Sequence, residues 1–142
     1  MAASVGCVFC EIAAGEQPAE VIYDGPDALA FLDARPLFHG HTLLIPREHH
    51  ETLADLPEDQ VGELFLLARR LSVAVRDGMG AEGSFMAMNN KVSQSVPHLH
   101  VHVVPRVKGD GLRGFFWPRR SYETDEQLSE AGRRIRAELE PG

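Results

Sequence analysis

Pro97-His98-Leu99-His100-Val101-His102-Val103-Val104 places a histidine at every second position, with an aliphatic residue between each pair. Alternate side chains of an extended chain share a face. The pattern predicts a strand over Leu99–Pro105, with His98, His100 and His102 along one face and Leu99, Val101 and Val103 turned into a core. Neighbouring imidazoles would stand about 7 Å apart, from the strand rise. Such a row has two chemical uses. His-x-His on a strand can bring two nitrogens to one metal ion. Alternatively, a neutral imidazole attacks as a nucleophile while its neighbours hold phosphate oxygens or protonate a leaving group. A merely solvated polar face is the third reading, and it leaves the strict alternation without a cause.

The flanking sequence predicts four further strands: Val21–Asp24, Ala28–Leu32, His41–Pro46 and Ser84–Asn89. Gly25-Pro26-Asp27 supplies turn chemistry between the first two. A short helix is predicted over Cys7–Ala14. The clearest helix runs from Pro57 to Asp77, with Glu58 and Asp59 in its first turn and Gly78 and Gly80 beyond its end. Val61, Leu64, Phe65, Ala68, Leu71 and Val75 form its expected buried stripe. A polar helix over Thr124–Leu139 would carry Leu128, Ala131, Ile135 and Leu139. The fold class is therefore α+β: a five-stranded, mainly antiparallel sheet with one long helix between strands three and four and a C-terminal helix. Helices are expected over one face of the sheet, leaving the other for a ligand or a partner subunit.

The chain has 142 residues, 44% hydrophobic and 25% charged, and shows no repeat or low-complexity linker. It is read as a single domain over 1–142, with a core over about 5–110 and a C-terminal segment over 111–142. No apolar run reaches the ~18 residues of a membrane span, and the N-terminus lacks the basic start and apolar stretch of a secretory signal. The expectation is a cytoplasmic protein. A net charge of −7 disfavours a nucleic-acid polymer as partner. Five basic residues against one acid between Pro105 and Tyr122 would suit a small anion or an ordinary solvated loop.

Cys7 and Cys10 are the only cysteines, and in a cytosolic protein Cys-x-x-Cys is a metal half-site or a redox pair. Two thiolates leave a tetrahedral zinc shell needing two more ligands. All seven histidines lie in two stretches: His39, His41, His49 and His50, then His98, His100 and His102. Asn89-Asn90 and Ser93-Gln94-Ser95 precede the second stretch. Their amides and hydroxyls could donate to a phosphoryl group or simply build a turn.

Together these residues resemble the histidine-triad, or HIT, family, whose signature is His-φ-His-φ-His-φ-φ with φ hydrophobic. The resemblance extends to Ala30-Phe31-Leu32-Asp33-Ala34-Arg35-Pro36, Gly40-His41-Thr42-Leu43-Leu44-Ile45-Pro46-Arg47-Glu48-His49, Phe9-Cys10-Glu11-Ile12 with Pro18, and Pro105-Arg106 with Gly109-Asp110-Gly111 and Trp117. It implies a HIT-like fold, a homodimer, and hydrolysis or transfer of nucleoside monophosphates without an organic cofactor. The substrate class would be a purine nucleotide conjugate of the AMP or GMP type. The family's nucleophile falls on His100, which would form a covalent nucleotidyl-histidine. His102 would bind the α-phosphate, with His41 near it, and Ser95 would assist the leaving group. Gln94 and Asn89 would hold phosphate or ribose. Asp33 falls where the family grips the ribose hydroxyls, with Phe9, Ile12, Phe31 and Leu32 around the base.

Some bacterial relatives bind zinc through Cys-x-x-Cys and two histidines, and the matching positions are Cys7, Cys10, His49 and His98. His50 competes with His49, and two free thiols are the alternative to a structural zinc. The segment from Asn89 to Gln94 is about two residues shorter than the family's usual form, which carries extra glycines; Lys91, Val92 and Ser93 stand there instead. Lys91 contacts phosphate or is solvated. Phe115, Phe116 and Trp117 either pack a dimer or reach a partner subunit's site.

Overall fold

The structure is a computed structural model describing residues 6–113 and 119–139. The expectations placed on Phe115, Phe116 and Trp117 lie outside the described residues. Two compact units divide at Asp110/Gly111.

In the first unit, β1 (Val21–Asp24) and β2 (Ala28–Leu32) form a hairpin closed by the Gly25 N–H donating to the Ala28 carbonyl, 3.0 Å. Next come β3 (Thr42–Pro46), a 3-10 turn at Leu53–Asp55, α2 (Glu58–Gly78), β4 (Gly83–Ala87) and β5 (Val101–Arg106). A short α1 (Val8–Ala13) precedes them all. The sheet order is β1-β2-β3-β5-β4, and every pair is antiparallel.

The pleat sorts residues to two faces. Ala30, Leu44, Leu99, Val101 and Val103 join Leu64, Leu67, Ala68, Leu71 and Val75 of α2 in one core. Leu29, Phe31, Leu43 and Ile45 point the other way and meet Cys7, Phe9 and Cys10. So the second face is covered at one end by α1, and helices do not lie on one face alone. The α2 stripe also differs by one position from its expected form: Leu67 is buried and Phe65 is 38% exposed. Leu67 and Ala68 together follow Leu64 at helical spacing, which turns Phe65 outward.

The decisive strand starts later than its alternation suggests. The sheet ladder begins at Val101, opposite Leu44, and His98 to His100 precede it. The reason lies in the backbone: the His98 N–H donates to the Val96 carbonyl (2.8 Å) and the Leu99 N–H to the His50 carbonyl (2.7 Å). Those groups are engaged by bonds outside the ladder that would otherwise claim them. Similarly, His41 precedes β3 because its N–H closes a turn onto the Phe38 carbonyl, 3.0 Å.

The second unit contains α3 (Asp125–Glu138), whose N-cap Thr124 side chain accepts from the Gln127 N–H. No helix among the described residues is long and apolar enough to cross a membrane.

Candidate active site and metal centre

His100 and His98 are almost completely buried (3% and 0% exposed), on the sheet face opposite α2. The His100 Nδ1 lies 2.8 Å from the His98 carbonyl oxygen. A carbonyl can only accept, so Nδ1 carries the proton and donates. The neutral ring then keeps its lone pair on Nε2. Phe9 packs edge-on against His100 (5.1 Å between centroids) and Phe31 (5.5 Å).

The tautomers of two further histidines follow the same logic. The Leu37 N–H donates to His41 Nδ1, 3.0 Å. With Nδ1 accepting, the proton of His41 sits on Nε2, which donates to His102 Nδ1 at 2.9 Å. His102 must then carry its own proton on Nε2. The His100 and His102 rings meet edge-on at 5.0 Å, closer than the strand rise implied. One face thus presents a bare nitrogen from His100 and an N–H donor from His102. Asp33 Oδ2 lies 3.7 Å from His41 Nε2, and its Oδ1 accepts the Arg35 N–H.

Asp33, His41 and His102 bring their donor atoms within 4.8 Å of one another. A metal there would need the Nε2 lone pair of His41 while Nδ1 is already accepting, which a neutral imidazole cannot supply. The group is a hydrogen-bond relay. Direct use of the three triad histidines by one ion meets the same objection at His102, whose Nδ1 already accepts from His41, while His98 turns its free Nδ1 toward the thiols.

Burial lowers the pKa of His102 from 6.5 to about 4, reinforced by His100 and His41. His41 is lowered too, chiefly by burial, with Asp33 opposing. The neutral forms are therefore favoured by folding. The unfolded chain binds more protons than the native one between about pH 6.5 and 4. Stability from His102 is complete above pH 6.5 and declines as the pH falls, by up to about 1.4 kcal/mol per pH unit. Denaturant melts from pH 7 to 4 test this. A His102→Asn variant should show a shallower decline, and parallel curves would refute it.

The second cluster, Cys7, Cys10, His49 and His98, has a donor set that could hold a metal ion. Cys7 is the N-cap of α1, and its sulfur accepts the Cys10 N–H (3.4 Å), so both thiols face one way at i, i+3. His98 Nδ1 lies 3.4 Å from Cys7 Sγ and 3.5 Å from Cys10 Sγ; His49 Nδ1 lies 3.4 Å from Cys10 Sγ. All four donor atoms fall within 4.8 Å. The His98 Nε2–H bond to Pro46 leaves the Nδ1 lone pair free and aimed at the thiols, as a ligating histidine requires. Geometry thus separates His49 from His50, whose buried Nε2 has no hydrogen-bond partner among the described residues and stands 3.9 Å from Glu48.

The remaining expected residues are placed as follows. Ile12 packs beside Phe9 and Phe31. Phe31 is buried, whereas Leu32 is half-buried with its N–H on the Glu20 carbonyl. Ser95 is exposed. Asn89 Nδ2 donates to the Ser93 carbonyl, and Gln94 bridges the Lys91 N–H and the Glu51 carbonyl. Lys91 pairs with Glu51 at 2.9 Å. Among the described residues, neither amide bonds a histidine. Lys91 and Ser93 sit at φ 74° and 61°, where a side chain costs about 1 kcal/mol. Ser93→Gly is expected to stabilise the protein by about 0.5–1 kcal/mol, read from its urea midpoint; a lowered midpoint would contradict the strain. The partners that set the tautomers, the Leu37 N–H and the carbonyls of Pro46 and His98, are backbone groups and leave no trace in residue types.

The HIT domain matches residues 14–109. The chain belongs to the HIT family. A HIT-like protein of Methanocaldococcus jannaschii is 37% identical over 126 residues, covering 87% of this chain and 97% of that one. The adenosine 5′-monophosphoramidase of Schizosaccharomyces pombe is 29% identical over 138 residues, covering 95% and 99%. The crystal structure of a HIT family member from Bacillus subtilis superposes with a TM-score of 0.86 at 31% identity, covering 96% of this chain and 99% of its own. A Zn-bound histidine triad family protein from Mycobacterium smegmatis is 39% identical, with a TM-score of 0.73 and coverage of 95% and 94%. The HIT fold, its antiparallel sheet and the histidine triad of this chain are thereby established.

Proposed function

We propose that the chain is a nucleotide hydrolase that attacks the α-phosphorus of a purine nucleoside phosphoramidate, or a related conjugate, with His100. The observation that carries the reading is the His100 Nδ1–H bond to the His98 carbonyl, which in the neutral tautomer puts the lone pair on Nε2. The monophosphoramidase named above supports the reaction class.

In the first step, Nε2 of His100 forms a bond to phosphorus and the bond from phosphorus to the leaving amine breaks. The amine takes a proton, for which the exposed Ser95 hydroxyl is the assigned donor. Water then attacks phosphorus as the bond to His100 breaks, its proton restoring the Ser95 hydroxyl, which releases the nucleoside monophosphate and the neutral imidazole. The Nε2–H of His102 donates to a non-bridging phosphate oxygen as charge develops there. His41 acts through His102. Asp33 accepts the ribose hydroxyls, and Phe9, Ile12, Phe31 and Leu32 form the slot for the base. Gln94 and Asn89 contact phosphate or ribose after exchanging their loop bonds for the ligand.

Cys7, Cys10, His49 and His98 would hold a structural zinc. Such a closed four-ligand shell supplies a cross-link between α1 and the triad and no reactive position. The protein works as a homodimer: β4 is an edge strand, and Leu66, Val73 and Met86 on α2 and β4 are exposed apolar residues that a second copy would cover.

The test is AMP release from adenosine 5′-phosphoramidate, with acid-quenched protein analysed for an adenylyl group on His100. Turnover with that adduct supports the proposal. Tight AMP binding without turnover of phosphoramidates, adenylyl sulfate or dinucleoside polyphosphates would make the protein a binding module instead.

A further inference from the structure

We infer that the four-donor centre also positions the nucleophile: by anchoring residue 98, it keeps the His98 carbonyl where it holds the proton of His100 on Nδ1. This rests on the reading of His100 as the nucleophile.

The carbonyl in question has no sheet to hold it. The ladder starts at Val101, three residues later. Around residue 98 the backbone is tied by the His98 N–H to Val96 and the Leu99 N–H to His50. The first bond is local and moves with the segment. The second ends on the residue after His49. The His98 ring is the other tether, pinned at Nε2 by the Pro46 carbonyl and directed at both thiols through Nδ1. The two long-range tethers are therefore the ring of His98, a donor of the centre, and the backbone of His50, next in the chain to the donor His49. With the centre filled, the peptide after His98 has one orientation.

Emptying it releases that orientation. Once the carbonyl can turn away, the His100 proton has no acceptor at Nδ1 and also populates Nε2. The Nε2–H tautomer has no lone pair for phosphorus. Fewer molecules are then competent, and the rate constant should fall. Phe9 and Ile12 of the base slot also sit on α1 beside the thiols, so the His100 tautomer, and not the affinity, is the diagnostic readout.

The experiment compares zinc-loaded, chelated and zinc-restored protein, with circular dichroism confirming the fold, by ¹⁵N NMR of histidine and by kinetics. The loaded protein should show His100 as a single Nδ1–H tautomer. The chelated protein should show mixed tautomers and a kcat lower by about tenfold or more. Restoring zinc should reverse both. His49→Ala, with three donors left, should reproduce the chelated state, and His49→Asp, with four, should recover toward the parent. This pair also serves if chelation unfolds the chain. An unchanged His100 tautomer in metal-free or His49→Ala protein would overturn the inference. A tautomer that follows zinc in a protein with no turnover would sustain the coupling and refute the proposed reaction instead.

Discussion

His100→Ala should lower kcat/KM for adenosine 5′-phosphoramidate by about 10⁴-fold or more, because removing a covalent nucleophile eliminates the pathway and leaves only binding and electrostatic assistance. His102→Ala should cost less, about 10²-fold to 10³-fold, the usual loss for one donor to a developing oxyanion. The difference between the two separates nucleophile from stabiliser. The His100 variant will also be somewhat less stable. Its ring is buried against Phe9 and His102, and its loss leaves the His98 carbonyl without its partner, at about 1–3 kcal/mol. A folded variant as active as the parent would remove His100 from the chemistry altogether.

Loss of the metal should be the largest single effect on stability. An ion that binds only the native state adds about 4 kcal/mol when present at 1,000 times its dissociation constant. For a chain of this size, about 2–4 °C of melting temperature follows each kcal/mol, so chelation should lower the midpoint by roughly 8–16 °C. Residual affinity of the unfolded Cys-x-x-Cys for zinc would bring the change toward the lower figure. Calorimetry with zinc, with chelator, and on the Cys7→Ser/Cys10→Ser double variant measures it. The double variant should melt like the chelated parent and ignore added zinc. An identical midpoint for loaded and demonstrably metal-free protein would exclude a structural role.

The strands and helices were legible because their signals are local. Turn residues at Gly25-Pro26-Asp27 and the apolar alternation of Ala28–Leu32 specify the first hairpin, and the α2 stripe specifies its helix. The clustering of the metal donors was legible only through the family resemblance, since Cys7 and His98 lie 91 residues apart. The start of β5 was misplaced because side-chain periodicity continues through His98 and Leu99 while their backbone bonds leave the ladder. Loop amides were harder still. Asn89 and Gln94 have the right chemistry for a phosphate, yet in the structure their side chains stitch the loop to itself and to Glu51. Residue type gives donors and acceptors, and only the path of the chain decides which partners they meet.

The span between the metal donors also bears on how the protein is made. Cys10 and His98 are separated by 88 residues, and the hairpins β1–β2 and β2–β3 join neighbours in sequence. During synthesis at about 5–20 residues per second, Cys7 and Cys10 wait roughly 4–18 s after translation before His98 is added. The first three strands can pair in that interval, but the α1 thiols have no fourth ligand to close upon. Closure of the four-donor set thus waits for residue 98, although the apolar partners of α1 on β2 and β3 are made long before it.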